Sequence, residues 1–197
     1  YTNIMLNITI EGNIGVGKTT LLKKLENNYN VIFEDVDTWK NEGWIEKYYK
    51  NTSKYAMGFQ MRVLYSHLQS EHKFKEINII ERSCNTLCNI FGKLLLDDNT
   101  LDQIEFDLCK KFSFDYSWDI NHIIYLQSSP EICFERISNR NRKGEENIPF
   151  DYIKRLHTEH ENTYKNTQNV YIINANNDID TIYNNVINVL NKLTCSS

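Results

Sequence analysis

No stretch of this sequence approaches the ~18 apolar residues of a membrane span, and no Cys-x-x-Cys occurs in it. The first absence argues against a membrane partner. The second, with five cysteines scattered at Cys84, Cys88, Cys109, Cys133 and Cys195, argues against a disulfide framework or a zinc knuckle. Such usage fits a reducing compartment, so a cytoplasmic protein is expected (host cytoplasm if the source is a virus). Cys84 and Cys88, four apart, read as small core residues on one helix face. A basic excess is missing too: the net charge is −4. Coating nucleic acid needs a basic face, so that role is not expected, although a small anion in a local basic pocket is compatible. There is no internal repeat and no low-complexity linker. The 197 residues, 41% hydrophobic and 24% charged, therefore read as one globular domain spanning 1–197. Asparagine is abundant, most of all over 174–188, and composition alone offers no physical reason for it.

What is present alternates in period. Ile4–Ile10 is short, apolar and β-branched, which predicts a buried strand. Further strands are predicted at Val31–Phe33, Ile77–Ile80, His122–Leu126 and Val170–Ile173. Between them lie helical stretches at Lys18–Asn28, Glu42–Tyr49, Ala56–Phe74, Cys84–Leu96, Leu101–Trp118, Pro130–Arg140 and Phe150–Tyr164, with Ile179–Leu193 closing the chain. Unbroken apolar strands alternating with helices predict an α/β fold: a five-stranded parallel sheet flanked by helices. Ligands of such sheets bind beyond the carboxyl ends of the strands. Glu11, Glu34 and Glu81 all follow strand ends, so these carboxylates should converge.

Gly12-Asn13-Ile14-Gly15-Val16-Gly17-Lys18-Thr19 matches GxxxxGK[ST] in full, with Thr20 next. Glycines let backbone N–H groups turn inward around phosphate oxygens, and the following helix offers its positive N-terminus. Lys18 can reach the outer phosphates and the Thr19 hydroxyl can ligate Mg²⁺. The motif falls between a strand and a helix, as a P-loop requires. The dinucleotide pattern GxGxxG is absent, as are a guanine-reading Asn-Lys-x-Asp and a DxxG switch.

The remaining chemistry-bearing residues suggest a hydroxyl acceptor. Glu34, past the second strand, could take a proton from an attacking hydroxyl. Trp39, Tyr49, Phe59 and Gln60 supply aromatic faces and a two-sided amide suited to a base edge, while core packing is the plainer reading of Phe59 alone. Glu81-Arg82 offers a carboxylate for metal or sugar and a cation for developing charge, or simply a structural ion pair. Arg136, Arg140, Arg142 and Lys143 lie in or beside the charged loop Asn139–Pro149, which reads either as a solvated face or as an arginine-rich lid closing over a triphosphate.

Taken together, the motifs resemble the deoxyribonucleoside kinases: the deoxycytidine, deoxyguanosine and mitochondrial-type thymidine kinases and the insect multisubstrate enzyme. The resemblance rests on Glu11–Thr20, Glu34…Trp39, Tyr49…Phe59-Gln60, Glu81-Arg82-Ser83 and "RISNRNRKGEENIPFDYIKRLHTEHENTY" from Arg136 to Tyr164. It implies a P-loop kinase fold with a lid at about 139–149, transfer from ATP with Mg²⁺, nucleotide salvage, and a homodimer. It implies Glu34 as general base, Arg82 steadying the developing charge, Lys18 on the phosphates, and Thr19 with Glu81 near Mg²⁺. Tyr49 and Glu145 would hold the 3′-hydroxyl. Gln60 would read the base, with Trp39, Phe59 and Phe91 around the ring. Arg140 and Arg142 would clamp phosphates and Arg136 would lie near the donor base. Two positions depart from the family: His67 and Leu87 stand where deoxycytidine-type members carry Arg and Asp. Leu87 offers no acceptor for an exocyclic amine and takes up space a purine would need. His67 could donate to a base carbonyl or bond a protein neighbour. A pyrimidine is therefore expected, thymidine first and deoxycytidine next. A thymidylate-type monophosphate kinase and a non-catalytic nucleotide-binding regulator are the rival readings. The compact chain and its asparagine bias would suit a large DNA virus.

Overall fold

The computed structural model describes residues 5–140, 142, 145 and 148–194. Strands β1 (Leu6–Glu11), β2 (Asn30–Ile32), β3 (Ile77–Glu81), β4 (His122–Gln127) and β5 (Val170–Asn174) form one sheet in the order β2-β3-β1-β4-β5. Every pairing is parallel, as the unbroken apolar strands require. β1 is central, and Ile8 and Ile10 are completely buried with Leu21, Leu22 and Leu25 of helix α1 (Lys18–Leu25). Helix α10 (Ile179–Thr194) packs beside α1 through Ile182, Val186 and Leu190.

Several boundaries differ from those predicted. Residues after β2 form two short helices, α2 (Val36–Asn41) and α3 (Trp44–Lys50), separated at Gly43 with φ 80°. The helix expected over Glu42–Tyr49 corresponds to α3, while α2 was not expected. Helix α4 (Thr52–Gln69) begins earlier than expected because the Asn51 side chain accepts from the Lys54 N–H. It passes into a 3₁₀ turn at Ser70–Lys73. The stretch read as one helix over Cys84–Leu96 is α5 (Cys84–Thr86), a π-helical turn (Leu87–Gly92) and α6 (Lys93–Asp97). Helix α7 (Gln103–Tyr116) starts at a capping box of Asp102 and Glu105. Helices α8 (Pro130–Arg140) and α9 (Phe150–Tyr164) flank the arginine-bearing segment. Cys84, Cys88, Cys109 and Cys133 are buried and free; Lys143 and Cys195 lie outside the described residues.

Some of the asparagines have a structural use. Asn78 on β3 sits beside Asn7 on β1 and Asn30 on β2 in register. Its Nδ2 donates to Asn7 Oδ1 and Lys75 O, and its Oδ1 accepts from Asn30 Nδ2 and Lys75 N, all within 2.8 Å. Asn7 continues the row to Asn121 and to Asp119 O. Asn78 is completely buried, so removing its amide strands several polar partners. Asn78→Ala is expected to cost roughly 3 kcal/mol, read as a lower denaturation midpoint at an unchanged slope.

Candidate active site

The glycine loop follows β1 at the carboxyl edge of the sheet. Gly12 and Gly15 have φ of 144° and 80° and leave no room for a side chain. A Cβ would come within 2.7 Å of Leu126 O at Gly12 and 2.3 Å of Cys133 O at Gly15. The Asn13 side chain ties the loop to Ile153 O of α9 at 2.9 Å. Lys18 bends back into the loop, its Nζ donating to Gly12 O at 3.0 Å and Asn13 O at 3.1 Å. Burial, and next the charge of Arg82, lowers its pKa to about 8, against the pull of Glu34, Glu81 and Glu11.

Parallel register brings the three strand-end carboxylates to one place, as expected. The Thr19 hydroxyl donates to Glu81 Oε1 at 2.6 Å, and the Glu34 N–H donates to Glu81 Oε2 at 3.3 Å. Burial, then the neighbouring Glu34, raises the Glu81 pKa. Arg82, with φ 65°, is held in a left-handed conformation by its N–H bond to Ile10 O. Its guanidinium lies 4.5 Å above the Phe91 ring, and its Nε donates to Glu34 Oε1 at 2.9 Å. Burial alone would raise the Glu34 pKa; Arg82, aided by His67, outweighs it and holds the carboxyl at about 2. Glu11 is completely buried, and desolvation raises its pKa against the charge of Arg82.

A cavity opens from these groups between α2, α3, α4 and the π-helical turn. Lys18, Thr19, Glu34, Glu81 and Arg82 line one part. Trp39, Tyr49, Phe59 and Phe91 line its flanks, with Gln60 and Leu87 among its most buried residues. Trp39 meets Phe59 edge-on at 6.0 Å, and Tyr48 lies 5.1 Å from Phe59. Tyr48 and Tyr152 also line this space and sequence reasoning missed both. Tyr48 had a signal in its adjacency to Tyr49; Tyr152 had none beyond its place after the charged stretch. His67 is not among the lining residues. It borders a separate recess that shares Glu34 and Glu81, and its Nε2 stands 3.8 Å from Glu34 Oε1, beyond hydrogen-bond reach. His67 Nε2 is buried there without a hydrogen-bond partner among the described residues.

A second recess runs along the outer side of the glycine loop, lined by Gly15–Thr20, Lys23 and Asn177 among others. Arg140 and Arg142 line both spaces, and both donate to Glu145: Arg140 through Nε at 2.9 Å and Arg142 through Nη1 at 3.3 Å. Burial raises the Tyr49 pKa, with Glu145 among the charges acting on it. Arg136 borders the second recess, yet its guanidinium is spent on backbone: Val16 O at 2.9 Å, Ala175 O at 3.0 Å and Asn177 O at 3.5 Å. It fastens the loop to the turn after β5. The Thr19–Glu81 pair at the junction of the two spaces has the hard oxygen donors that Mg²⁺ takes beside phosphates and water. Among the described residues no cluster of three or more His, Cys, Asp or Glu could hold a metal by protein alone.

Residues 8–195 match the deoxynucleoside kinase family. The chain belongs to that family. Among its relatives, a protein named as a kinase, 029R, of Invertebrate iridescent virus 3 is 32% identical over 189 residues, covering 94% of this chain and 96% of its own. A Fowlpox virus protein named as a deoxycytidine kinase is 35% identical over 166 residues, covering 78% of this chain and 69% of its own. Among solved structures, deoxyadenosine kinase from M. mycoides, with dCMP and dCDP bound, superposes at a TM-score of 0.84 with 26% identity. That match covers 95% of this chain and all of the other. The P-loop kinase architecture expected from the motifs is thus shared with a solved member, and the recognition of the family from its residues holds.

Proposed function

We propose that this kinase transfers the terminal phosphoryl group of ATP to the 5′-hydroxyl of a pyrimidine deoxyribonucleoside, thymidine ahead of deoxycytidine. In this reading it acts as a single cytoplasmic domain in nucleotide salvage. The observation that carries this is the Glu34–Arg82 pair, placed where the glycine loop meets an aromatic cavity floored by an amide.

The base lies between Trp39, Phe59 and Phe91 with its edge at Gln60. Tyr49 and Glu145 take the 3′-hydroxyl, which sets the sugar so that its 5′-oxygen reaches Glu34. The 5′-oxygen attacks the γ-phosphorus, the bond to the β-bridging oxygen breaks, and the hydroxyl proton passes to Glu34. A carboxyl held near 2 by Arg82 is a weak base, which suits a loose transition state in which the proton leaves late. Arg82 steadies the 5′-oxygen, while Lys18, Arg140 and Arg142 spread the charge of the transferring group. Arg136 borders the donor base while holding the loop. Thr19 and Glu81 would hold Mg²⁺, partly through water; the bound ion offsets phosphate charge. A phosphorylated acceptor would be repelled by Glu34, which sets this reading apart from a monophosphate kinase. ATP consumption with Mg²⁺ and thymidine, deoxycytidine, the two purine deoxynucleosides and thymidine monophosphate tests it. Turnover with the monophosphate alone, or with none, would sink the proposal, and a purine preference would sink its pyrimidine part.

The same reading includes a homodimer. Ile104, Leu108, Phe112 and Tyr116 recur every fourth residue along α7, and Ile104 is 80% exposed. Tyr65 on the adjoining α4 is exposed as well. A stripe of this kind is a ready interface between two copies. Leu108→Glu is expected to convert dimer to monomer in sedimentation velocity; an unchanged dimer would place the interface elsewhere.

A further inference from the structure

Gln60 is nearly buried, and its Nε2 donates to the backbone carbonyl of Leu87 at 2.6 Å. That partner decides which way the amide points. A carbonyl oxygen only accepts, so it must face the NH₂ end of Gln60 and never the Oε1 end. The carbonyl belongs to the first residue of the π-helical turn Leu87–Gly92, an irregular turn of a kind frequent at functional sites. Gly92 closes over the contact: a Cβ there would lie 3.4 Å from Leu87 O and 3.6 Å from Gln60 Nε2. The amide is therefore held by main chain from one side and has its remaining N–H and Oε1 to offer the cavity.

The geometry points to Leu87 O as a specificity determinant: by locking the Gln60 amide, it selects a 4-oxo pyrimidine with a protonated N3 over a 4-amino pyrimidine. This rests on the deoxynucleoside kinase reading above. A pyrimidine joined to its sugar at N1 carries C4 across the ring. In this reading, with the 5′-hydroxyl at Glu34, the 4-substituent goes to the part of the cavity lined by Gln60 and Leu87. With Nε2 held on Leu87 O, the amide in this pose gives its donor to the 4-position and its acceptor to N3. Thymine and uracil match this order, with O4 accepting and N3–H donating. Cytosine reverses it, with a donor at the 4-position and an acceptor at N3. Reading cytosine in the same pose would require the amide to turn over, setting Oε1 against Leu87 O, two acceptors face to face in a buried place. The loss is expected to lower kcat/KM about 10- to 100-fold.

Four nucleosides separate the 4-position from the 5-methyl group: thymidine, deoxyuridine, 5-methyldeoxycytidine and deoxycytidine. In the wild-type kinase thymidine should exceed 5-methyldeoxycytidine, and deoxyuridine should exceed deoxycytidine, each about 10- to 100-fold in kcat/KM. In Gln60→Glu, which has no N–H to give Leu87 O or O4, both ratios should fall to about one or below. A merely structural role for Gln60 would lower all four substrates together and leave the ratios standing, which would overturn the inference. Equal or higher turnover of the 4-amino partner in the wild type would overturn it without any variant. Silence with all four would instead remove the deoxynucleoside reading on which it stands.

Discussion

Glu34→Gln should lower kcat about 10²- to 10⁴-fold while thymidine and ATP still bind within a few-fold of the wild-type affinity. The amide oxygen of glutamine keeps an acceptor for Arg82 Nε, now 2.9 Å from Glu34 Oε1, so the site keeps its shape and loses its proton acceptor. Equilibrium binding together with single-turnover rates separates the two effects. A variant that binds and reacts at the wild-type rate would show that the proton goes elsewhere. The pH dependence has a definite sign. Because Arg82 and His67 hold Glu34 near 2 against the effect of burial, it stays ionised throughout the neutral range. Its stabilising pairing is present above the ordinary glutamate value and is lost as pH falls toward about 2. No acid limb of kcat/KM between pH 5 and 8 should therefore come from Glu34.

The alkaline limb is the second large effect, and it belongs to Lys18. In the free kinase burial, with Arg82 adding to it, brings the Lys18 pKa down to about 8, and the ammonium rests on Gly12 O and Asn13 O. As pH rises through about 8 the lysine loses its charge, and kcat/KM for ATP should fall with it. A bound triphosphate places negative charge beside Nζ and raises the pKa again, so kcat at saturating ATP should hold to higher pH. The split follows because kcat/KM reports the free enzyme and kcat the complex. Lys18→Met should abolish the limb and cost about 10³-fold in kcat/KM, an estimate from the loss of a charge-stabilising group. Parallel limbs in both parameters would assign the ionisation to another group. Stability carries the opposite sign: between about 8 and the ordinary lysine value the unfolded chain binds the extra proton, so the fold gains stability as pH rises through that window.

Much of this site is legible in the residues. A glycine loop after a β-branched strand has few other uses, and carboxylates just past short parallel strands must meet at one edge. The helix over Leu101–Trp118 was legible as well, although its start at the capping box of Asp102 and Glu105 was not read. What stayed hidden depends on tertiary contact. The π-helical turn was not legible, because over the six residues Leu87–Gly92 nothing in the residue types separates i→i+5 from i→i+4 bonding. The left-handed Arg82 is imposed by its bond to Ile10 O, against the preference of its residue type. His67, singled out by its match to a family position, could face a base or a protein neighbour; it borders a separate recess by Glu34, a placement that only tertiary packing decides. The helix α2 after Glu34 is only a turn and a half long, too short for periodicity to declare it.

The row of amides at the other end of the sheet has a bearing on the chemistry. Strands that read Asn-Ile-Thr-Ile, Asn-Val-Ile and Ile-Asn-Ile-Ile are so alike that apolar contact alone would tolerate a shift along their length. Shifted by two residues, the same faces stay inward, but the tip of a strand moves about 7 Å. Glu34 or Glu81 would then miss its neighbours entirely. The Asn7–Asn78–Asn30 contacts form only in the native alignment, and any other leaves buried amides facing hydrocarbon. They act as a vernier: the ångström-scale alignment of the carboxylates is fixed at the edge of the sheet farthest from them.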